Sequence, residues 1–411
     1  MDKNRTKTAP QSLPTAVDPN LQQLFNQSLR EQLQACRHKT TDTERKKSLK
    51  GSLKNLTETL LHEPETPHAE LTSLFADVSE SLISSYKLAS LTEAEANSSY
   101  INASGVVMAV KDAIHTIKDI YRVKAFIRGI HQALNSQLPK RSLHLVYPAC
   151  GPFAPLLLPL ISYYQQRGTG PEKMKITLID VQPGAVKVLR QLVDDLDITD
   201  YIADIRCQDV LEYQPQQPID ILVMEALQHG LTKEGHLNFA RYLNPFLAPN
   251  AIMIPEEISV KAFLNVAQRE YVDQWEDRDR THSELVNPDI QNERLGLGEI
   301  LRVTRKTLSE LKTMPLGNSI EMLECGEVRV PTDINNIEKQ ALLISVSATT
   351  FGEEKIQEYD SGITHPLPDM SVCIGFRPPA QQPDDLMVKP GDTLKFYYQL
   401  TGIPRFLPTV A

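Results

Sequence analysis

The chain has 411 residues, enough for two or three domains with substantial buried cores, and carries a formal net charge of −9 with a pI near 5.7. That acidic balance supplies no global basic field, so neither nucleic acid nor an anionic membrane is an expected partner. Five scattered cysteines (Cys36, Cys150, Cys207, Cys325, Cys373) form no CxxC and no Cys/His cluster with metal-ligand spacing, so no metal is expected and a reduced cytoplasmic compartment fits.

In chain order, the opening MDKNRTKTAPQSLPTA lacks the apolar core of a secretion signal, and no later apolar run approaches the roughly 18 residues that span a bilayer. Residues 1–20 are polar, and HKTTDTERKKSLKGSLKN (38–55) is rich in charge and hydroxyls, so 1–55 reads as a partly disordered leader. Residues 56–140 carry LTETLLH, LTSLFADVSESLISSYKLASL and VVMAVKDAIHTIKDIYRVKAFIRGIHQAL, with apolar positions every three or four residues, which predicts several amphipathic helices. Across 141–257 short apolar runs (SLHLVYPA, KITLIDV, YIADIRCQD, IDILVMEA, NAIMIPEE) alternate with helical patterns near 153–167, 183–196 and 234–246. This predicts an α/β domain with a parallel sheet and its sites at the strands' C-terminal ends. From 258 to 411 β-type runs dominate (ISVKAFL, ALLISVSATTF, MSVCIGFR, LMVKPGDTLKFYYQL), which predicts a mainly β domain, a barrel or a sandwich. The charged stretch 267–285 reads as an exposed helix or a protruding arm.

The strand ends carry the chemistry. The turn ACGPFAP brings Ala149, Cys150 and Gly151 to the end of the first strand, where small residues let a ligand approach backbone N–H groups. It is not a GxGxxG, and a proline-stiffened loop with Pro152 in the first helical turn is an equal reading. The second strand ends in Asp180, which can accept both hydroxyls of a ribose or cap the next helix; the third ends near Asp209, which can take an exocyclic adenine amine or serve as a turn residue. Three such residues at three successive strand ends point to an adenosine-containing ligand. The missing glycines argue against a pyrophosphate, and no GxxxxGK[ST] occurs for a triphosphate. In MEALQHGLTKE, Glu225 and Glu234 stand nine residues apart, either as a clamp for a planar cation or as a strand-end residue and a helix N-terminal charge.

The order and spacing of these pieces resemble the protein arginine methyltransferases, a family of S-adenosylmethionine-dependent enzymes, most clearly from about 115 to 265. The resemblance implies a Rossmann-like methyltransferase domain, an N-terminal helical region with a helix covering the cofactor, and a C-terminal β-barrel or sandwich. IKDIYRVKAFIRGI resembles the covering helix through Asp119, Arg122, Phe126 and Ile130, which implies that Arg122 pairs with the methionyl carboxylate. By the same likeness, Ala149, Cys150 and Gly151 replace the glycine-rich motif, Asp180 takes the ribose, Asp209 the adenine side, and Glu225 adjoins the cofactor. Glu225 and Glu234 map onto the two-glutamate loop that would hold a guanidinium, and His365 in ITHP onto a Thr-His-Trp loop that would receive a proton. A homodimer is likewise implied. The single glycine, Pro366 in the tryptophan's place and the changed loop from Gln228 to Lys233 depart from the family. The acceptor is accordingly a protein arginine or a small-molecule nitrogen, with a binding or scaffold protein without chemistry as the third reading.

Overall fold

The structure, a computed structural model, describes residues 41–275, 287–317, 320–334, 337–368, 372–374 and 385–411. The charged stretch 276–285 of the expected arm and most of 1–55 lie outside these residues.

Contacts divide the chain into Met1–Arg45 and Lys46–Ala411. In the first unit the described residues open helix α1 (Asp42–His62): Glu44 N–H donates to Thr41 Oγ1 at 3.2 Å and Thr41 N–H donates to Glu44 Oε2 at 2.9 Å, a reciprocal cap. This corrects the expectation of weak order over 38–55, most of which is helical. In the second unit Leu49, Leu53, Leu56 and Leu60 fall at helical spacing along α1 and are all buried, so the dense charges occupy the other faces.

Helices α2 (His68–Leu88), α3 (Glu93–Asn97) and α4 (Val110–Ala113) follow, with a small antiparallel hairpin, β1 (Tyr100–Asn102) and β2 (Gly105–Val107), between the last two. Helix α5 (Ile120–Gln137) then leads into the central domain. There five strands, β3 (Leu143–Pro148), β4 (Met174–Asp180), β5 (Ile202–Cys207), β6 (Ile219–Val223) and β7 (Leu247–Ile254), form a wholly parallel sheet in the order β5-β4-β3-β6-β7. The predicted alternation is thus a doubly wound α/β unit. The chain begins at the centre, winds out to β5, and returns to β6, so the crevice outside β3 and β6 is the switch point at which such sheets bind ligands.

Both sheet faces are covered, which is why β3 is buried along its whole length. Leu145, Tyr147 and Leu178 join a core with Leu53, Phe126, Ile130 and Leu192, whereas Val146 and Ile179, pointing the other way, join a second core with Leu222, Leu237, Val260 and Phe396. Helices α6 (Leu158–Gln166), α7 (Pro183–Asp195) and α8 (His236–Leu243) connect the strands.

After β7 the chain enters β8 (Glu257–Val266), which pairs antiparallel with β9 (Leu295–Thr304) and β12 (Gln340–Phe351). A second antiparallel sheet runs β10 (Thr313–Leu316), β11 (Ile320–Arg329), β13 (Thr393–Gln399) and β14 (Arg405–Val410). The two sheets touch where Gly326 of β11 lies so close to Glu299 and Ile300 of β9 that an added Cβ would meet Glu299 O at 3.0 Å. The mainly β C-terminal region therefore holds these two antiparallel sheets and a short parallel pair, Val372–Ile374 with Leu386–Val388, and pairings that would close a barrel are absent among the described residues. No helix of the described residues is long and apolar enough to cross a membrane.

Candidate functional site

The turn after β3 is strained and stitched down. Ala149, Gly151 and Ala154 all have positive φ (47°, 66° and 38°), a region that two alanines adopt only when their surroundings hold them there. Cys150 N–H donates to Ile179 O at 3.2 Å, and Gly151 N–H to Asp180 Oδ2 at 2.9 Å, so the turn is tied to the end of β4. A Cβ on Gly151 would meet nothing within 4 Å, because the residue faces open space. The helix starts only at Leu158, with Pro159 in its first turn; Pro152 instead stiffens the loop, which corrects the placement expected for it.

Asp180 is 7% exposed. Its two oxygens accept from Gly151 N–H (2.9 Å) and Gln182 N–H (2.8 Å). Burial raises its pKa to about 6, and these two donors only partly offset that. Asp209 accepts from Leu211 N–H at 2.9 Å, the turn role, and from Asn102 Nδ2 at 3.3 Å. Burial, with Asp180 adding to it, pushes the Cys150 thiol well up, which keeps it neutral.

The wall opposite the strand ends is made chiefly by the β1–β2 hairpin, which the sequence reading did not foresee. Asn102, Ser104, Gly105, Val106 and Val107 face the crevice from it. Of the four residues expected to cover a cofactor from α5, only Arg122 lines the cavity; Asp119 does not, and Phe126 and Ile130 are buried in the core.

Arg122 is 5% exposed. It bonds Glu225 Oε2 through Nη1 at 3.0 Å and donates through Nη2 to Thr116 O at 2.6 Å. Its Nε is buried without a hydrogen-bond partner, the nearest carboxylate oxygen being Asp119 Oδ2 at 3.6 Å. Glu225 is raised by burial, with Arg122 opposing. Glu234 accepts from Gln228 Nε2 at 2.8 Å, and burial together with the charge of Glu225 lifts it to about 7.

The loop between the two glutamates is bent as sharply as the first turn. Gly230, Leu231 and Lys233 have φ of 63°, 56° and 66°, and Gln228 bridges Thr232. Tyr398 of β13 donates to Leu231 O at 2.6 Å, and Lys233 N–H donates to Pro404 O at 2.8 Å, so the C-terminal region holds the loop.

One cavity of about 240 Å³ is lined by Arg122, Ala149, Cys150, Gly151, Asp180, Asp209, Glu225 and Glu234 together. His365 is not in its lining: its ring lies 6.2 Å from that of His229 and 5.2 Å from that of Tyr359, whereas Ile363, two residues earlier, does face the cavity. Burial and the neighbouring His229 lower the pKa of His365, against Asp119. Tyr147, Gln182, Gln228 and Phe239 also line the cavity; the sequence singled out Gln228 only as the start of a changed loop and gave the other three no role.

At one end the cavity offers a carboxylate held by backbone donors and a glycine that faces open space, with the Arg122 guanidinium, whose Nε has no hydrogen-bond partner, between the two ends. At the other stand two carboxylates, one paired with Arg122 and one held by the Gln228 amide. The first set suits a ligand with hydroxyls and a carboxylate, the second a cation.

No protein-family model matches the chain, and no curated protein does. Among solved structures 318 chains match. One of them, the Trypanosoma brucei PRMT1 enzyme–prozyme heterotetrameric complex with AdoHcy, is 16% identical with a TM-score of 0.40, over 72% of this chain and 96% of that one.

Proposed function

We propose that the protein is an S-adenosylmethionine-dependent methyltransferase whose acceptor is a cationic nitrogen, either a guanidinium or an amine. The observation that carries this is the convergence of residues 122, 149–151, 180, 209, 225 and 234, drawn from separate elements, on one cavity at the switch point of a doubly wound sheet.

The residues present fit the cofactor. Arg122 lines the cavity with its Nε lacking a hydrogen-bond partner, which supports carboxylate binding, and the open space beside Gly151 leaves room for close approach to backbone. Each oxygen of ionised Asp180 accepts one N–H and keeps a lone pair for a ribose hydroxyl. Asp209 lines the cavity beyond it for the adenine side. Bound there, the cofactor's sulfonium supplies an electrophilic methyl group.

The chain's own part is to orient the acceptor and take its proton. Glu225, fixed by Arg122, and Glu234, fixed by Gln228, face the same space and hold the cation from two sides. With a pKa of about 7, Glu234 is suited to accept a proton from the acceptor nitrogen near neutral pH. His365, its pKa depressed by burial, lies outside the cavity lining, so it would receive the proton only through an intervening group.

The test is incubation with methyl-labelled S-adenosylmethionine and, separately, an arginine-rich peptide, free guanidines and alkylamines. Label in one acceptor class, lost in Glu225→Gln and Glu234→Gln, is the expected result. Full transfer by both variants would refute the clamp.

A further inference from the structure

A two-stranded hairpin of three-residue strands is not stable alone, so whatever holds β1–β2 over the cavity determines whether the wall is there at all. Its tip is fastened on the far side: Val106 N–H donates to Lys233 O at 2.8 Å, Gly402 N–H to Ala103 O at 2.9 Å, and Asn102 Nδ2 to Asp209 Oδ2 at 3.3 Å. Gly105 is required there, since a Cβ would meet Lys233 O at 2.3 Å and its φ is 137°.

The base is fastened by one side chain. Gln182 is buried, and its Nε2 donates to Ser98 O at 2.7 Å and to Met108 O at 3.0 Å, the carbonyls that flank the hairpin on its two sides. The amide thus spends both its N–H donors in drawing the hairpin's entry and exit together. The same residue's backbone N–H holds Asp180 Oδ1 at 2.8 Å. Two residues on, Gly184 lies so close to Glu95 of α3 that a Cβ would meet Glu95 O at 2.7 Å, and Lys187 pairs with Glu95 at 2.6 Å. The start of α7 is therefore the seat of the whole segment that precedes the hairpin.

We propose that residues 98–108 are a retaining strap across the cavity and that Gln182 is the positioning residue that keeps it closed over a bound adenosine-containing ligand. That ligand class rests on the function proposed above; the fastening itself does not. With both tip and base secured, a ligand on Asp180 lies under the strap, and leaving requires the Gln182 bonds or the tip contacts to break. Because the strap also touches Lys233, next to Glu234, its closure brings the ligand end and the carboxylate end of the cavity into register.

The test uses the full chain with Gln182→Leu, which keeps the volume and removes the donors, and Gln182→Asn, which retains the amide on a shorter arm. Hydrogen exchange of the peptide covering 98–108 is expected to quicken about tenfold or more in both, with that of β3 unchanged. S-adenosylhomocysteine is expected to dissociate about tenfold faster, with association altered less than about threefold. Unchanged exchange over 98–108 in folded variants overturns the fastening. Faster exchange with unchanged dissociation overturns retention. If the native protein does not bind S-adenosylhomocysteine, the retaining role and the proposed function fall together, while exchange still decides the fastening.

Discussion

The two ends of the cavity solve the burial of carboxylates in opposite ways. Asp180 is held by two backbone N–H groups of rigid turns, which offset part of its burial. Glu234 has one side-chain amide and faces Glu225, so its charge is opposed by a like charge as well as by burial. The difference teaches what each end awaits. The first offers spare lone pairs to neutral hydroxyls; the second sets two like charges together, which a proton or a bound cation relieves.

That contrast can be broken most forcefully at Glu234. Glu234→Gln keeps the shape and removes the charge, and is expected to lower methyl transfer by on the order of 10²–10³-fold while S-adenosylhomocysteine affinity changes less than about threefold. A parallel loss of both would mean that the ends are not separate. The reciprocal change, Asp180→Ala, is expected to weaken S-adenosylhomocysteine about 10²-fold, as loss of charged hydrogen bonds does, and calorimetry checks it.

Titration sharpens the comparison with smaller effects. Ligand hydroxyls need ionised Asp180, so S-adenosylhomocysteine affinity should fall about tenfold per pH unit below about 6 and be flat above it. At the other end the folded-state pKa of Glu234 lies above its usual value. Its stabilising contribution is therefore full below the unfolded value of 4.5 and is lost as pH rises through about 7. A bound cation reverses this, so butylguanidinium or butylammonium should raise the melting temperature more at pH 8 than at pH 6. Smallest is Gln228→Leu: with the donor gone, the midpoint of that cation effect should move up by less than about one pH unit.

Much of the ligand end was legible because strand ends announce themselves. Apolar runs closing on Gly151, Asp180 and Asp209 locate the crevice of a parallel sheet before its strand order is known. The hairpin was not legible: YINASGVV gives strands of three residues, too short for a period-two pattern, and only Gly105 hints at the tight approach to Lys233. Helix α1 was misread because its charges hide the spacing of Leu49, Leu53, Leu56 and Leu60, a signal that depends on which face is buried. Glu225 and Glu234 stood out by spacing, yet their distinct pairings, one with Arg122 and one with Gln228, arise from contacts over as many as 103 residues and as few as six. His365 was assigned by likeness of a short segment, and the fold leaves it outside the cavity lining, its ring near those of His229 and Tyr359.

The most direct measurement is calorimetric titration of the intact protein with S-adenosylhomocysteine, repeated on Asp180→Ala. Micromolar or tighter binding with a one-to-one stoichiometry, weakened about 10²-fold by the substitution, is the predicted result. No binding by the intact protein, or binding that Asp180→Ala leaves unchanged, would contradict the assignment of the cavity to this cofactor.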